Sequence, residues 1–255
     1  MSTLTLAVAQ SIAVPGNLVR SIRDHTRLAL DAADRGARIV VFPELSLTGY
    51  DRRLTPHDAL TPTDPRLHPL QAIADAHELT IVVGAPVASA RGLHIGALSI
   101  LPGRPAQTYL KQYLHQGEEV TFAPGEGGAP LCVGGHTVRI AICADITHPE
   151  HARAAADAGA RLYVASCFLT PSGYLTDAGL LQGYAREHRM VVLKANYGAA
   201  TGEWPLAGRS AIWSNEGTLL ARGPTAGEAL VHTSIEGSAL EISASTGTRP
   251  TSREQ

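Results

Sequence analysis

ARIVVFPE, residues 37–44, is a continuous apolar run of strand length that ends on a proline and a carboxylate. A run of this kind reads as a buried strand, and its neighbours on both sides repeat the theme. N-terminal to it, LTLAVAQ (4–10) is another short apolar strand. Residues 17–35 lie between the two and carry Leu18, Ile22, Leu28 and Leu30 on a helical pattern, with Asn17 placed to cap the helix and Gly36 to end it. C-terminal to it, HPLQAIADAHE (68–78) predicts a second helix and LTIVVGAP (79–86) a third strand. The order β-α-β-α-β is that of a layered α/β domain.

Further along, LHIGALSIL (93–101) and AQTYLK (106–111) flank Pro102-Gly103-Arg104-Pro105 with no helix between them, so the sheet is expected to turn antiparallel or mixed there. TVRIAIC (137–143) opens a second alternation. It predicts a helix over 148–160 led by Pro149, a strand at RLYVAS (161–166), a helix over 173–189 and a strand at MVVLKAN (190–196). GRSAIWSNEGTLLAR (208–222) reads as a hairpin turning at Asn215-Glu216-Gly217, and ALVHTSI (229–235) as a last strand. The predicted architecture is α/β, two sheets packed face to face with helices outside. Residues 1–242 are expected to form one domain, and 243–255, which hold almost nothing to bury, a tail that is disordered or packed on a partner.

Composition narrows the function. Over 255 residues, 21 basic and 23 acidic side chains give a net charge of −2, too little positive charge to neutralise phosphates, so no nucleic-acid partner is expected. The N-terminus lacks the pattern of a signal peptide and no apolar run approaches the ~20 residues that span a bilayer, so a soluble cytoplasmic protein without a membrane partner is expected. Cys132, Cys143 and Cys167 form an odd set without C-x-x-C spacing, which argues against a disulfide framework and a zinc site. His148 and His151, three apart, and the isolated His115 and His136 have no third ligand at metal spacing.

Three of the predicted strands end on a residue able to do chemistry: Glu44, Lys111 and Cys143. Strand ends that give way to loops are where a rigid scaffold presents catalytic groups. Each also has a structural explanation. A free cysteine is more often simply buried, and Glu44 and Lys111 could neutralise each other at a sheet edge. Residues 115–130, rich in glycine and proline around Glu118 and Glu119, form a loop of a length that is more often functional than idle.

FPELSLTGY (42–50), YLKQYLH (109–115) and ICADITHPE (142–150) resemble, in order and spacing, the three signature segments of the nitrilase superfamily of carbon–nitrogen hydrolases. The resemblance runs from AVAQ (7–10) to the GRSAIW hairpin. It implies a four-layer α-β-β-α sandwich of two mixed sheets and a Glu-Lys-Cys triad at Glu44, Lys111 and Cys143. It also implies Glu118, rather than its neighbour Glu119, as a second catalytic glutamate, with Glu44 or Glu118 activating the hydrolytic water, and the backbone N–H of Ala144 as an oxyanion donor. The implied reaction is hydrolysis of a small non-peptide amide through a cysteine acyl-enzyme, without metal or organic cofactor. The alternatives are a nitrilase or N-carbamoyl amidohydrolase using the same triad, acyl transfer to an amine, and a non-catalytic binding protein on the same fold. A homodimer or larger homo-oligomer is expected from the resemblance alone.

The chain departs from the family pattern in two places. Ile146-Thr147-His148 stands where members handling carboxylate substrates often carry arginine. A carboxylate clamp would then have to come from Arg52, Arg53 or Arg186, unless the substrate is not anionic. Ala144 replaces a bulkier neighbour of the nucleophile. Residues 50–66, 115–130 and 167–178 are the expected pocket walls.

Overall fold

The computed structural model describes residues 3–201 and 204–236, so the tail expected from 243 lies outside the described residues. The described residues build two six-stranded sheets. The first uses β1 (Thr3–Gln10), β2 (Ala37–Val41), β3 (Thr80–Ser89), β4 (Gly92–Ile100), β5 (Gln107–Leu110) and β12 (Ala229–Glu236), in the order β12-β1-β2-β3-β4-β5. The second uses β6 (Leu131–Val133), β7 (His136–Ile142), β8 (Leu162–Ser166), β9 (Val191–Ala195), β10 (Ala211–Trp213) and β11 (Leu219–Arg222), in the order β11-β10-β9-β8-β7-β6.

Each sheet has three parallel strands at its centre, β1-β2-β3 and β7-β8-β9, with antiparallel strands on both flanks. The parallel strands need crossovers, and four helices supply them. These are α1 (Leu18–Asp34), α2 (His68–His77), α3 (Pro149–Asp157) and α4 (Tyr174–His188). Asn17 caps α1 by accepting the N–H of Arg20 at 3.0 Å. Both sheets are mixed, and the helix-free link between β4 and β5 predicted this for the first.

Three apolar layers hold the sandwich. The central one joins Val8, Ile39, Val41 and Val82 of the first sheet to Val138, Ile140, Val164 and Leu193 of the second. A second layer packs α1 and α2 on the outer face of the first sheet through Leu28, Ala32, Leu70 and Ile73. A third packs α3 and α4 on the second sheet through Ala152, Ala155, Leu181 and Tyr184. The order is α-β-β-α.

The predicted strands that end on the reactive residues stop short of them. β2 ends at Val41 rather than Glu44, because Pro43 has no N–H to give a ladder. Phe42 N–H still reaches Val82 O at 2.8 Å, and the chain then turns. β7 ends at Ile142, because Cys143 takes a φ of 43°, which no strand accommodates. The short edge strand β6, together with single-turn helices at Pro56–Asp58 and Pro65–Leu67, has no counterpart in the sequence reading.

Candidate active site

Glu44 is the first residue of the turn after β2, and the sheet partner β3 shapes that turn. Gly84 lies so close that a Cβ there would sit 2.2 Å from Leu45 N and 2.4 Å from Pro43 O. Its own N–H is received by Ser46 Oγ at 3.1 Å. From the opposite sheet, Tyr197 Oη donates to Glu44 O at 2.7 Å and Ser166 Oγ to Phe42 O. Glu44 is thus gripped through its backbone by both sheets.

Lys111 follows β5 directly and is fully buried. Its ammonium donates to Glu44 Oε1 at 2.7 Å and to Glu118 Oε1 and Oε2 at 3.0 and 2.8 Å. Glu118 opens a single-turn helix at Glu118–Val120. Its oxygens also accept Tyr50 Oη at 2.9 Å and His115 N–H at 2.8 Å. Glu119, by contrast, is exposed and accepts the N–H of Gly117. The structure therefore brings Glu118, not Glu119, to Lys111.

Cys143 begins the single-turn helix Cys143–Thr147 in the left-handed region, a conformation that costs a side-chain-bearing residue free energy and recurs at functional sites. Asp145, fully buried two residues on, holds the turn. Its carboxylate accepts the N–H groups of Ile142, Gln112 and Tyr113 at 2.9, 3.0 and 2.9 Å and Tyr109 Oη at 2.8 Å. One carboxylate thus fixes the Cys143 turn to the peptides that follow Lys111.

The charges in this cluster are unequal. Burial pushes the Glu44 carboxyl up; Lys111 opposes the shift and Glu118 adds to it, leaving the pKa at about 7. Burial would lower the Lys111 ammonium, but Glu44, Cys143 and Glu118 outweigh it and hold it above its ordinary value. Burial, with Glu44 beside it, drives the Cys143 thiol well up. The thiol donates to Phe168 O at 3.7 Å, and Glu44 Oε2 has no hydrogen-bond partner. Above about pH 7 the arrangement is a neutral thiol beside an ionised Glu44 with a free acceptor oxygen and a fixed ammonium.

Glu44, Glu118, Cys143 and Ala144 line a cavity of about 290 Å³. All three segments expected as walls reach it, through Tyr50 and Arg52, through His115, and through Phe168 to Thr170 with Asp177. The Phe168 and Tyr50 rings stack at 4.2 Å.

Of the three arginines considered as a carboxylate clamp, only Arg52 lines the cavity. Arg53 is exposed and paired with Asp51, and Arg186 is exposed on α4. The histidines make no metal cluster among the described residues. His151 bridges Tyr109 Oη and Tyr163 Oη at 2.8 Å each, and His148 stacks on Tyr113.

Sequence reasoning missed Gly84, Asp145, Tyr197 and Trp204 as parts of the site. Gly84 had a readable signal, since an isolated glycine inside a strand marks a close backbone approach. Tyr197 and Trp204 had none, because only packing brings them to Glu44 and the cavity.

The carbon-nitrogen hydrolase family model matches residues 5–241. The chain belongs to the carbon-nitrogen hydrolase family. It is a hydrolase acting on carbon–nitrogen bonds.

This hydrolase is 28% identical over 228 residues to a "hydrolase in pqqF 5′ region" of Pseudomonas protegens, covering 87% of this chain and 79% of that one. It is 28% identical over 230 residues to the glutamine-dependent NAD(+) synthetase of Aquifex aeolicus, covering 86% of this chain and 40% of the synthetase. Among solved structures it resembles the amidase from Nesterenkonia sp. AN1. A doubly substituted form of that amidase in complex with acrylamide superposes with a TM-score of 0.84 at 23% identity over 94% of each chain. Another form, carrying the acetamide moiety of fluoroacetamide on its active-site cysteine, gives 0.82 at 23% identity over 93% and 92%. These likenesses establish a shared fold. Among the described residues, no helix of the hydrolase is long and apolar enough to cross a membrane.

Proposed function

We propose that this hydrolase is an amidase that cleaves a small non-peptide amide through an acyl-enzyme on Cys143, releasing ammonia or an amine. The observation that carries the reading is the buried Glu44–Lys111–Glu118 cluster, whose two glutamates line one cavity together with Cys143. The cavity volume suits a small substrate, and the ring stack of Tyr50 on Phe168 suits an aliphatic acyl chain.

Cys143 Sγ attacks the amide carbon while its proton passes to Glu44. The free Oε2 makes Glu44 the base, since the oxygens of Glu118 already accept Lys111, Tyr50 and His115. The negative charge that develops on the amide oxygen is met by the Lys111 ammonium and by the N–H of Ala144. Ala144 stands in the first turn of a helix, where N–H groups lack helical partners. A pre-aimed donor of this kind contributes roughly 3–4 kcal/mol to the transition state. Glu44 then protonates the leaving nitrogen, the C–N bond breaks, and a thioester remains. A water molecule gives a proton to Glu44 and attacks the thioester. The acid leaves, and the thiolate recovers the proton.

Glu118 is a positioning residue, fixing the Lys111 ammonium through both carboxylate oxygens. The Nesterenkonia amidase structures, with acrylamide bound in one and an acetamide moiety on the cysteine in another, support this reading by analogy.

The test is a panel of short aliphatic amides, nitriles and N-carbamoyl compounds, read by ammonia release and by intact-protein mass. Turnover of amides with a transient acyl adduct on Cys143, both abolished in Cys143→Ser, is the expected result. Acid formed from a nitrile or N-carbamoyl compound in preference to amides would move the assignment to those branches. A folded protein with neither turnover nor adduct would leave the non-catalytic reading.

A further inference from the structure

The charged groups around the cavity are not equally committed. Glu44 and Glu118 share Lys111. Arg52 reaches Gln116 O at 3.2 Å and Tyr50 Oη at 3.4 Å, lies over the Trp204 ring at 5.7 Å, and packs so tightly on Gly117 that a Cβ there would meet its Nη1 at 2.4 Å. It braces the 115–117 loop rather than offering a free guanidinium. Asp177, in the first turn of α4, lines the same cavity. Among the described residues its half-buried carboxylate makes no side-chain hydrogen bond and no ion pair.

The cation that would be expected to answer it does not. The Lys194 ammonium sits over the Tyr174 ring at 4.2 Å with no hydrogen-bond partner. Burial accordingly pushes the Asp177 carboxyl up, with Lys194 and His115 only opposing the shift. A partly desolvated carboxylate that faces a binding cavity without a partner gains most from a ligand that brings a positive charge.

We propose that Asp177 is a specificity residue that receives a terminal ammonium on the acyl chain of the substrate, so that the enzyme prefers small ω-amino amides to neutral or anionic ones. The proposal rests on the amidase reading above and names its substrate class. It also accounts for the missing arginine after the Cys143 segment, since a cationic acyl chain needs no carboxylate clamp. The competing explanation is that Asp177 merely complements the positive end of α4. That role would affect stability without discriminating between substrates.

The experiment compares 4-aminobutanamide, its neutral isostere pentanamide, and succinamate. In the wild type, kcat/KM is expected to be about tenfold higher for the ammonium amide than for pentanamide, with succinamate lowest. Asp177→Asn should cut the ratio of ammonium amide to pentanamide by about tenfold through KM, Asp177→Glu should restore part of it, and Asp177→Lys should raise succinamate above the ammonium amide. A ratio near one in the wild type, or one unchanged in Asp177→Asn, overturns the proposal.

Binding to Cys143→Ala, measured by calorimetry, separates the proposal from the reading beneath it. If 4-aminobutanamide binds there more tightly than pentanamide while the wild type turns over neither, the charge recognition stands and the amidase reading fails. If both amides are hydrolysed but bind equally, the amidase reading stands and the role of Asp177 fails.

Discussion

Asp145 accepts the backbone N–H of Gln112 at 3.0 Å, tying the peptide after Lys111 to the turn that carries Cys143. The same carboxylate takes three further donors, from Tyr113, Ile142 and Tyr109. Replacing it by alanine takes the acceptor from the buried N–H of Ile142 and the partly buried N–H groups of Gln112 and Tyr113, and leaves Tyr109 Oη to His151. Asp145→Ala is expected to lose about 3 kcal/mol or more of stability. Its residual folded protein should turn over at least about 100-fold more slowly, because the oxyanion and nucleophile positions come apart. Urea titration and kcat on the folded fraction measure the two effects. A variant that is less stable but fully active would show that Asp145 supports the fold without positioning the site.

The Glu44 carboxyl, held at about 7 chiefly by burial, sets an acid limb. Glu44 must be ionised to take the thiol proton, so kcat/KM should fall about tenfold per pH unit below that point. Glu118 raises Glu44 while Lys111 lowers it. Glu118→Gln removes the repulsion and leaves Lys111 to Glu44, which should move the limb to lower pH even as the maximal rate drops. A pH–rate profile of both proteins checks the direction; a limb displaced to higher pH would contradict the charge assignment.

Gly84 is pressed against the Glu44 turn, with room for a hydrogen but not for a methyl group. Gly84→Ala must push Pro43 O and Leu45 N away. Overpacking of this kind costs about 1–3 kcal/mol, and displacing the base by an ångström costs about 100-fold in rate. Thermal melts and steady-state kinetics on the soluble variant test both. Wild-type kcat would mean that the turn can shift without moving the carboxylate.

His25 of α1 is fully buried and stacks on Phe42 at 4.2 Å. Its Nε2 has no hydrogen-bond partner, and burial lowers its pKa to about 4 from an ordinary 6.5. The native ring is neutral where the unfolded one takes a proton. The unfolded state therefore binds more protons between pH 6.5 and 4, and stability falls as pH drops through that window, by about 3 kcal/mol for this group. His25→Leu should flatten the slope. Urea unfolding at pH 7.5 and 4.5 measures it, and equal slopes in the two proteins would refute the assignment.

The alternation of apolar runs with helical stretches was enough to place every parallel strand and all four helices, because burial on both faces leaves an unbroken apolar run that one-dimensional pattern reading detects. Strand ends were legible to within about three residues. Pro43 and the left-handed Cys143 stop the ladders earlier than hydrophobicity does. β6 escaped because three residues at an edge carry too little pattern.

The site divides the same way. Sequence by itself determined the family, the sandwich, and the candidates Glu44, Lys111, Glu118 and Cys143, because their flanking residues are local and retain the motif. Tertiary structure alone decided that Lys111 bridges the two glutamates, that Glu44 Oε2 is free while the oxygens of Glu118 are occupied, and that Asp145 and Gly84 hold the geometry. It also decided that Asp177 faces the cavity uncommitted. Those facts depend on which groups lose their water and which find a partner across two sheets, and no local pattern encodes that.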